Sequence, residues 1–312
     1  MSRGSYSRSA SCTITMLAFL RAGDHVLVSD ATYGPTRRFC IETLPRYGVQ
    51  SSFYAPAAGR ELEAQFRPNT RLLWLESPGS LTFEMQDVRL LVELARKRGV
   101  VTAIDNTWAT PLYFQPLKCG VDVSVHAATK YICGHSAMLM GTITCAQPAW
   151  APLRQILFNL GLVVSPEDAY IALRGLRSLA ARLRQHRATA ERLIEWLLAQ
   201  PEVERILYPA LPSDPGYELW KRDMSGATGL FGIVMKQLAG GARLNALVDA
   251  VQVFGRGYSW GGYESLLVPV HPERSVAPCD YEGRLFRISA GLEDADDLID
   301  DLKRGFAALR AC

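Results

Sequence analysis

The feature that most constrains the fold of this chain is an alternation in its first half. Short apolar runs are separated there by stretches of helical periodicity. His25–Ser29 (HVLVS) reads as a buried strand and Val49–Tyr54 as a weaker one. Leu72–Leu75 (LLWL), Val100–Ile104 (VVTAI), Val121–Val125 (VDVSV) and Gly141–Cys145 (GTITC) follow. Between them, Val88–Lys97 (VRLLVELARK) spaces its apolar residues near 3.6, as one face of a helix does. Strands that alternate with helices form βαβ units, because parallel neighbours need a crossover between them. The expectation is an α/β protein with a mostly parallel, doubly wound central sheet.

A longer helical stretch comes next. Ser165-Pro166-Glu167-Asp168 has the form of an N-terminal cap, with the serine at Ncap and the proline at the first helical position. The pattern then runs to about Gln200, with Gly175 inside it as a bend or a boundary between two helices. After Pro201, short strands (Ile206–Tyr208, Leu230–Val234, Leu285–Ile288) mix with helices near Arg243–Val251 and Asp294–Leu309. The chain therefore divides into a large domain, 1–176, and a smaller C-terminal α+β domain, 177–312, that begins in the long helix. A length of 312 residues and 48% hydrophobic residues are enough for both.

Composition excludes several classes. A net charge of +3 is too small for the footprint of a nucleic-acid binder. No apolar run reaches membrane-spanning length, and the N-terminal MSRGSYSRSASC lacks the apolar core of a secretory signal. Seven cysteines are scattered without a CxxC pair, which argues against a disulfide framework or metal cluster and for a reducing, cytoplasmic setting. His126 and His135 have no ligand set at metal spacing and read as structural, and Cys133 reads as packing. Arg174–Arg187 (RGLRSLAARLRQHR) is basic, but Leu176, Leu179, Ala180 and Leu183 recur at helical spacing. It reads as an amphipathic helix whose arginines form a solvated or subunit-facing edge.

The chain has neither GxGxxG after its first strand nor GxxxxGK[ST], so dinucleotide and nucleoside-triphosphate chemistry is disfavoured. Two other sites fall at the carboxyl ends of expected strands, where an open α/β sheet binds ligands. One is Asp105-Asn106-Thr107 and the other is Thr129-Lys130-Tyr131. Taken singly, a strand-end aspartate is commonly a cap and a loop lysine commonly solvated. Together they match the needs of an aldehyde cofactor: an amine to hold the aldehyde, a carboxylate to keep the ring nitrogen protonated, and a hydroxyl, Thr129, for a phosphate.

The stretch Ala127-Ala128-Thr129-Lys130-Tyr131, followed by Gly134-His135-Ser136, is similar to the lysine signature of the Cys/Met metabolism pyridoxal-phosphate family. Glu76-Ser77-Pro78 and Asp105-Asn106-Thr107 resemble further motifs of that family, and the resemblance runs from about Leu17 to the C-terminus. It implies fold type I, pyridoxal 5'-phosphate as cofactor, Lys130 as the lysine that carries it, and a homodimer or homotetramer. It also implies that Tyr33 stacks on the cofactor ring and assists proton transfer, and that Arg287 (LFRISAGLED) clamps the substrate carboxylate. Ser259 and Trp260, in Tyr258-Ser259-Trp260-Gly261-Gly262, resemble the β-lyase branch and are implied to line the substrate pocket. The activity implied is carbon–sulfur β-elimination from an amino-acid thioether such as cystathionine, with no metal. A γ-lyase or γ-synthase, or a homologue that no longer holds the cofactor, are the alternatives.

The sequence departs from the family pattern in places. The family's preceding segment, with a Tyr-x-Arg element that reaches a neighbouring subunit, has no match here. Arg8 stands where the family has the glycine of a phosphate-binding turn. Ser80 replaces an asparagine and Ala127 a serine.

Overall fold

The computed structural model describes residues 8–237, 242–276, 279, 281 and 283–311. Among the described residues, ten strands form two sheets. The larger is built from β1 (His25–Ser29), β2 (Gln50–Tyr54), β3 (Thr70–Glu76), β4 (Val101–Asp105), β5 (Val123–Ala127) and β6 (Gly141–Cys145). Their order is β2-β1-β3-β4-β5-β6, parallel throughout except for the antiparallel edge pair β5–β6. The smaller is fully antiparallel, in the order β7-β8-β10-β9, from β7 (Val203–Leu207), β8 (Leu230–Met235), β9 (Leu266–Pro269) and β10 (Leu285–Ser289).

The large sheet is buried on both faces, as parallel sheets are. Along β1, Val26 and Val28 pack with Cys12, Met16 and Leu153 from the helices Arg8–Phe19 and Gln147–Asn159. Leu27 points to the other face and joins Leu91, Val92 and Ala95 of the helix Val88–Lys97. That second cluster is continuous with the core under the small sheet, where Phe231, Ile233, Leu302 and Phe306 lie. One apolar core therefore runs between the two sheets.

The long helix spans Pro166–Leu198 without interruption, and the Ser165 hydroxyl accepts the Asp168 amide at 3.0 Å, the expected cap. The expected boundary at 176/177 falls inside it. Gly175 marks a close approach, not a bend: a Cβ there would lie 2.3 Å from the Ile132 carbonyl oxygen and 2.7 Å from the Cys133 Cα. The helix thus rests directly on the chain segment that follows Lys130. The reading of its arginines as a solvated edge fails at Arg182, which is buried and donates to the carbonyls of Gly175 (2.7 Å) and Ile132 (3.3 Å). Periodicity cannot distinguish a buried arginine with backbone partners from an exposed one.

Several elements escape the apolar patterns, among them two that carry proline. The helix Gln147–Asn159 carries Pro148 in its first turn and Pro152 inside it. β9 ends at Pro269, and it occupies the edge of its sheet, where a missing donor is tolerated. No helix among the described residues is long and apolar enough to cross a membrane.

Candidate active site

The carboxyl ends of the parallel strands open on a cavity of about 400 Å³. Tyr33, Lys130, Trp260 and Arg287 all line it, with the segment Val270–Arg274 along one side. An adjoining crevice is lined by Glu76, Asp105 and Trp108, and again by Trp260 and Arg287. Residues from 33 to 287 in sequence thus meet in one place.

Lys130 follows β5 in a tight turn, its amide donating to the Ala127 carbonyl at 3.0 Å. Its Nζ donates to the Ser259 Oγ at 2.9 Å and lies 5.1 Å from the centre of the Trp260 ring. Trp260 in turn tilts against Tyr131 at 5.4 Å. Gly261 makes this approach possible. It has φ +85°, and a Cβ there would lie 3.0 Å from the Tyr131 amide nitrogen and 3.2 Å from the Lys130 carbonyl carbon. The glycine after Trp260 is therefore a requirement of backbone packing against the lysine turn.

Asp105 ends β4 and is buried. One carboxylate oxygen accepts the Thr107 amide at 3.0 Å and the Thr107 hydroxyl, whose oxygen accepts the Ala127 amide at 2.9 Å. Asp105 is thereby tied to the strand that delivers Lys130. On β5, His126 is also buried, and no hydrogen-bond partner for its Nε2 occurs among the described residues. Burial lowers its pKa to about 4 against the opposing pull of Asp105. It is a neutral imidazole beside a carboxylate.

Tyr33 is half-buried, and its backbone is fixed from two directions. Its amide donates to the Glu76 carboxylate at 2.7 Å, and its carbonyl accepts the Arg37 amide at 3.0 Å. Glu76 also accepts from the Thr32 hydroxyl at 3.2 Å. The motif that contains Glu76 is legible in the sequence, but its task of holding the Tyr33 turn is not. Thr129 stands apart from the other expected residues. Its hydroxyl donates to the Met140 carbonyl at 3.2 Å and accepts the Met140 amide at 2.8 Å, and it is not among the residues lining the cavity. Arg8 begins the helix Arg8–Phe19, and its side chain lies outside the described residues.

Arg287 lies in the middle of β10, buried, opposite Gly232 of β8 and Val268 of β9. It donates to the carbonyls of Tyr258 (3.0 Å) and Gly257 (3.3 Å). This holds its guanidinium at the cavity wall beside the Ser259–Trp260 loop. Sequence patterns miss the wall formed by Val270–Arg274, because nothing local in a loop between two strands signals what it covers.

An amine on the cavity wall, a buried carboxylate in the adjoining crevice, a tyrosine and an arginine form a donor set that fits an aldehyde-bearing, anionic aromatic cofactor. Lys130 would hold its aldehyde, Asp105 its ring nitrogen and Tyr33 its face. No group of three or more metal-ligating side chains occurs among the described residues.

Comparison with known proteins gives the same assignment. The family model of the Cys/Met metabolism PLP-dependent enzymes matches residues 4–307. Cystathionine beta-lyase MetC of Escherichia coli K12 is 42% identical over 302 residues, 95% of this chain and 76% of that protein. Cystathionine beta-lyase of Salmonella typhimurium LT2 is 40% identical over 302 residues, with the same coverage of 95% and 76%. Among solved structures, metB from Corynebacterium glutamicum superposes with a TM-score of 0.88 at 29% identity, covering 97% of this chain and 80% of that one. With the lysine turn, the buried strand-end aspartate and the parallel sheet in place, this chain belongs to the Cys/Met metabolism family of PLP-dependent enzymes.

Proposed function

We propose that the chain is a carbon–sulfur β-lyase that cleaves cystathionine, or a similar cysteine thioether, to a thiol, pyruvate and ammonia. The observation that carries this reading is the Lys130 Nζ, 2.9 Å from the Ser259 Oγ and 5.1 Å from the Trp260 ring, in a cavity shared with Tyr33 and Arg287. The similarity to lyases named for this reaction supports the choice of bond.

Pyridoxal phosphate, when bound, supplies an electron sink that acidifies the α-hydrogen of an amino acid. The protein's residues do the rest. Lys130 would hold the cofactor aldehyde, and its amine would serve as the general base for the Cα proton. Ser259 orients that amine through its hydroxyl. Asp105 would keep the cofactor's ring nitrogen protonated, and the Thr107 hydrogen bonds stop the carboxylate from turning away. Arg287 binds the substrate carboxylate, a task suited to its planar fork. Tyr33 would stack on the cofactor ring and assist proton transfer. The bond from Cβ to sulfur then breaks, and cystathionine yields homocysteine.

Thr129 is proposed as a phosphate contact whose hydroxyl turns from the Met140 carbonyl to donate to a phosphate oxygen. The division into a cofactor-holding part, 1–176, and a smaller part, 177–312, belongs to the same proposal. So does assembly into a homodimer or homotetramer, supported by exposed apolar side chains gathered between residues 150 and 176. These include Trp150, Phe158, Val163 and Tyr170, the last three at 82%, 75% and 62% exposure. A cytoplasmic location goes with this reading.

The test is spectroscopic first. The purified, dialysed protein should show a visible band that borohydride abolishes, leaving a reduced adduct that peptide mapping places on Lys130. Cystathionine should then give pyruvate. Release of 2-oxobutyrate instead would assign γ-elimination, and absence of the band with excess cofactor would remove the enzyme reading altogether.

A further inference from the structure

One wall of the cavity is a strap. The segment Val270–Arg274, in the connection between β9 and β10, lines the cavity together with the turn that carries Tyr33. Two charge clusters fasten it, one buried and one partly exposed at Glu84. On one side, the Asp30 carboxylate accepts the Ser275 amide (2.9 Å), the Val276 amide (2.8 Å) and Arg37 Nη1 (2.7 Å), and Arg37 also reaches the Ser275 hydroxyl. Asp30 and Arg37 are 1% and 4% exposed. On the other side, Arg274 pairs with Glu84 and hydrogen-bonds the Thr82 hydroxyl. Buried ion pairs are poor sources of stability, because desolvation offsets their attraction. Here the buried Asp30–Arg37 pair and the partly exposed Arg274–Glu84 pair serve to fix the loop's position over the cavity.

The fastened strap presents one carboxylate that takes no part in either cluster. Glu273 is exposed, lines the cavity, and has no hydrogen bond or ion pair among the described residues. The cavity's acidic lining consists of Asp30 and Glu273, and Asp30 is committed to the strap. Its cations include Lys130, Arg38 and Arg287. A cofactor phosphate and a substrate carboxylate are anions and call on those cations. A carboxylate at the same cavity calls for a cation on the ligand.

We infer that Glu273 is a specificity-determining residue that binds the distal ammonium of a thioether whose leaving thiol is itself an amino acid. Asp30, Arg37, Glu84 and Arg274 are positioning residues that hold it there. The inference rests on the β-lyase reading for the identity of the proximal half, and it adds a requirement on the distal half. A thioether with a bare alkyl group beyond sulfur has nothing for Glu273 to bind.

The experiment compares cystathionine with S-ethyl-L-cysteine on the cofactor-loaded protein and on its E273Q and E273D variants. Two readouts are taken: turnover, and apparent Kd from the change in cofactor absorbance. E273Q should raise KM and Kd for cystathionine about three- to tenfold, leave kcat unchanged, and leave S-ethylcysteine unaffected. E273D should recover part of the loss, and E84Q, which loosens one fastening, should lower the same selectivity. Equal effects of E273Q on both ligands, or none on either, would overturn the inference while pyruvate release left the β-lyase reading intact. If no pyruvate forms but the absorbance titrations keep a preference that E273Q removes, the lyase reading fails and the role of Glu273 stands.

Discussion

The two walls of the cavity are built by different means. One is made by the carboxyl ends of parallel strands, with Asp105 closing β4 and Lys130 in the turn after β5. The other is made by the antiparallel sheet, with Arg287 in mid-strand and the Ser259–Trp260 loop and strap brought over from the connections around β9. On the first wall the functional groups come in short clusters, since each strand end delivers its residue with its neighbours. Thr107 holds Asp105 from two residues away and accepts the amide of Ala127, three residues before Lys130. On the second wall each contact crosses a long stretch of chain, as when Lys130 meets Ser259. On the proposed reading, the first wall would hold the cofactor and the second would select the substrate.

If this contrast is right, the largest effects belong to the first wall. Lys130→Ala should lower turnover by about a thousandfold or more and remove the borohydride-sensitive band. Retained activity would break the comparison at its root.

His126 provides a second test of the first wall. Its folded pKa of about 4 lies below the unfolded value near 6.5. The unfolded chain therefore takes up a proton first as pH falls. Stability should decline from about pH 6.5 down to pH 4, by about 3 kcal/mol in full. His126→Gln should remove its share of that decline in chemical denaturation measured across this range, while His25 and His186, whose pKa values burial also lowers, keep theirs. An unchanged slope would mean that the imidazole charges in the folded protein.

Arg287 tests the second wall. Arg287→Ala should lower kcat/KM by about 1.5–3 kcal/mol, roughly ten- to 150-fold, and should leave the cofactor band in place. Loss of the band as well would show that the second wall also holds the cofactor.

The smallest effect expected is at Gly175, where the long helix touches the segment after Lys130. Gly175→Ala should cost about 1–3 kcal/mol of stability, seen as a lower Tm, because backbone rather than a movable side chain meets the new methyl. A shift of the cofactor band in this variant would show that the helix also sets the angle of the lysine turn.

Much of the first wall is legible in the amino-acid sequence. The apolar runs locate β1, β4 and β5 to within about two residues, because a strand buried on both faces must be continuously apolar. Asp105 and Lys130 stand out because strand ends are where open sheets bind ligands. Family motifs add Tyr33, Arg287 and Trp260, and all three line the cavity. Thr129 is legible as a residue, yet its hydroxyl is engaged with Met140, eleven positions on.

What the sequence determined by itself was local: periodicity, caps and the clustered motifs at strand ends, which depend on residues within a few positions of each other. Tertiary structure alone decided the rest. It buried Arg182 against the lysine segment, set Gly261 on the Lys130 backbone, and seated a strap from residue 270 onward on Asp30. These are contacts between segments about 50 to 245 residues apart. No local pattern encodes them, because the partner of a buried charge is chosen by the packing of the whole core.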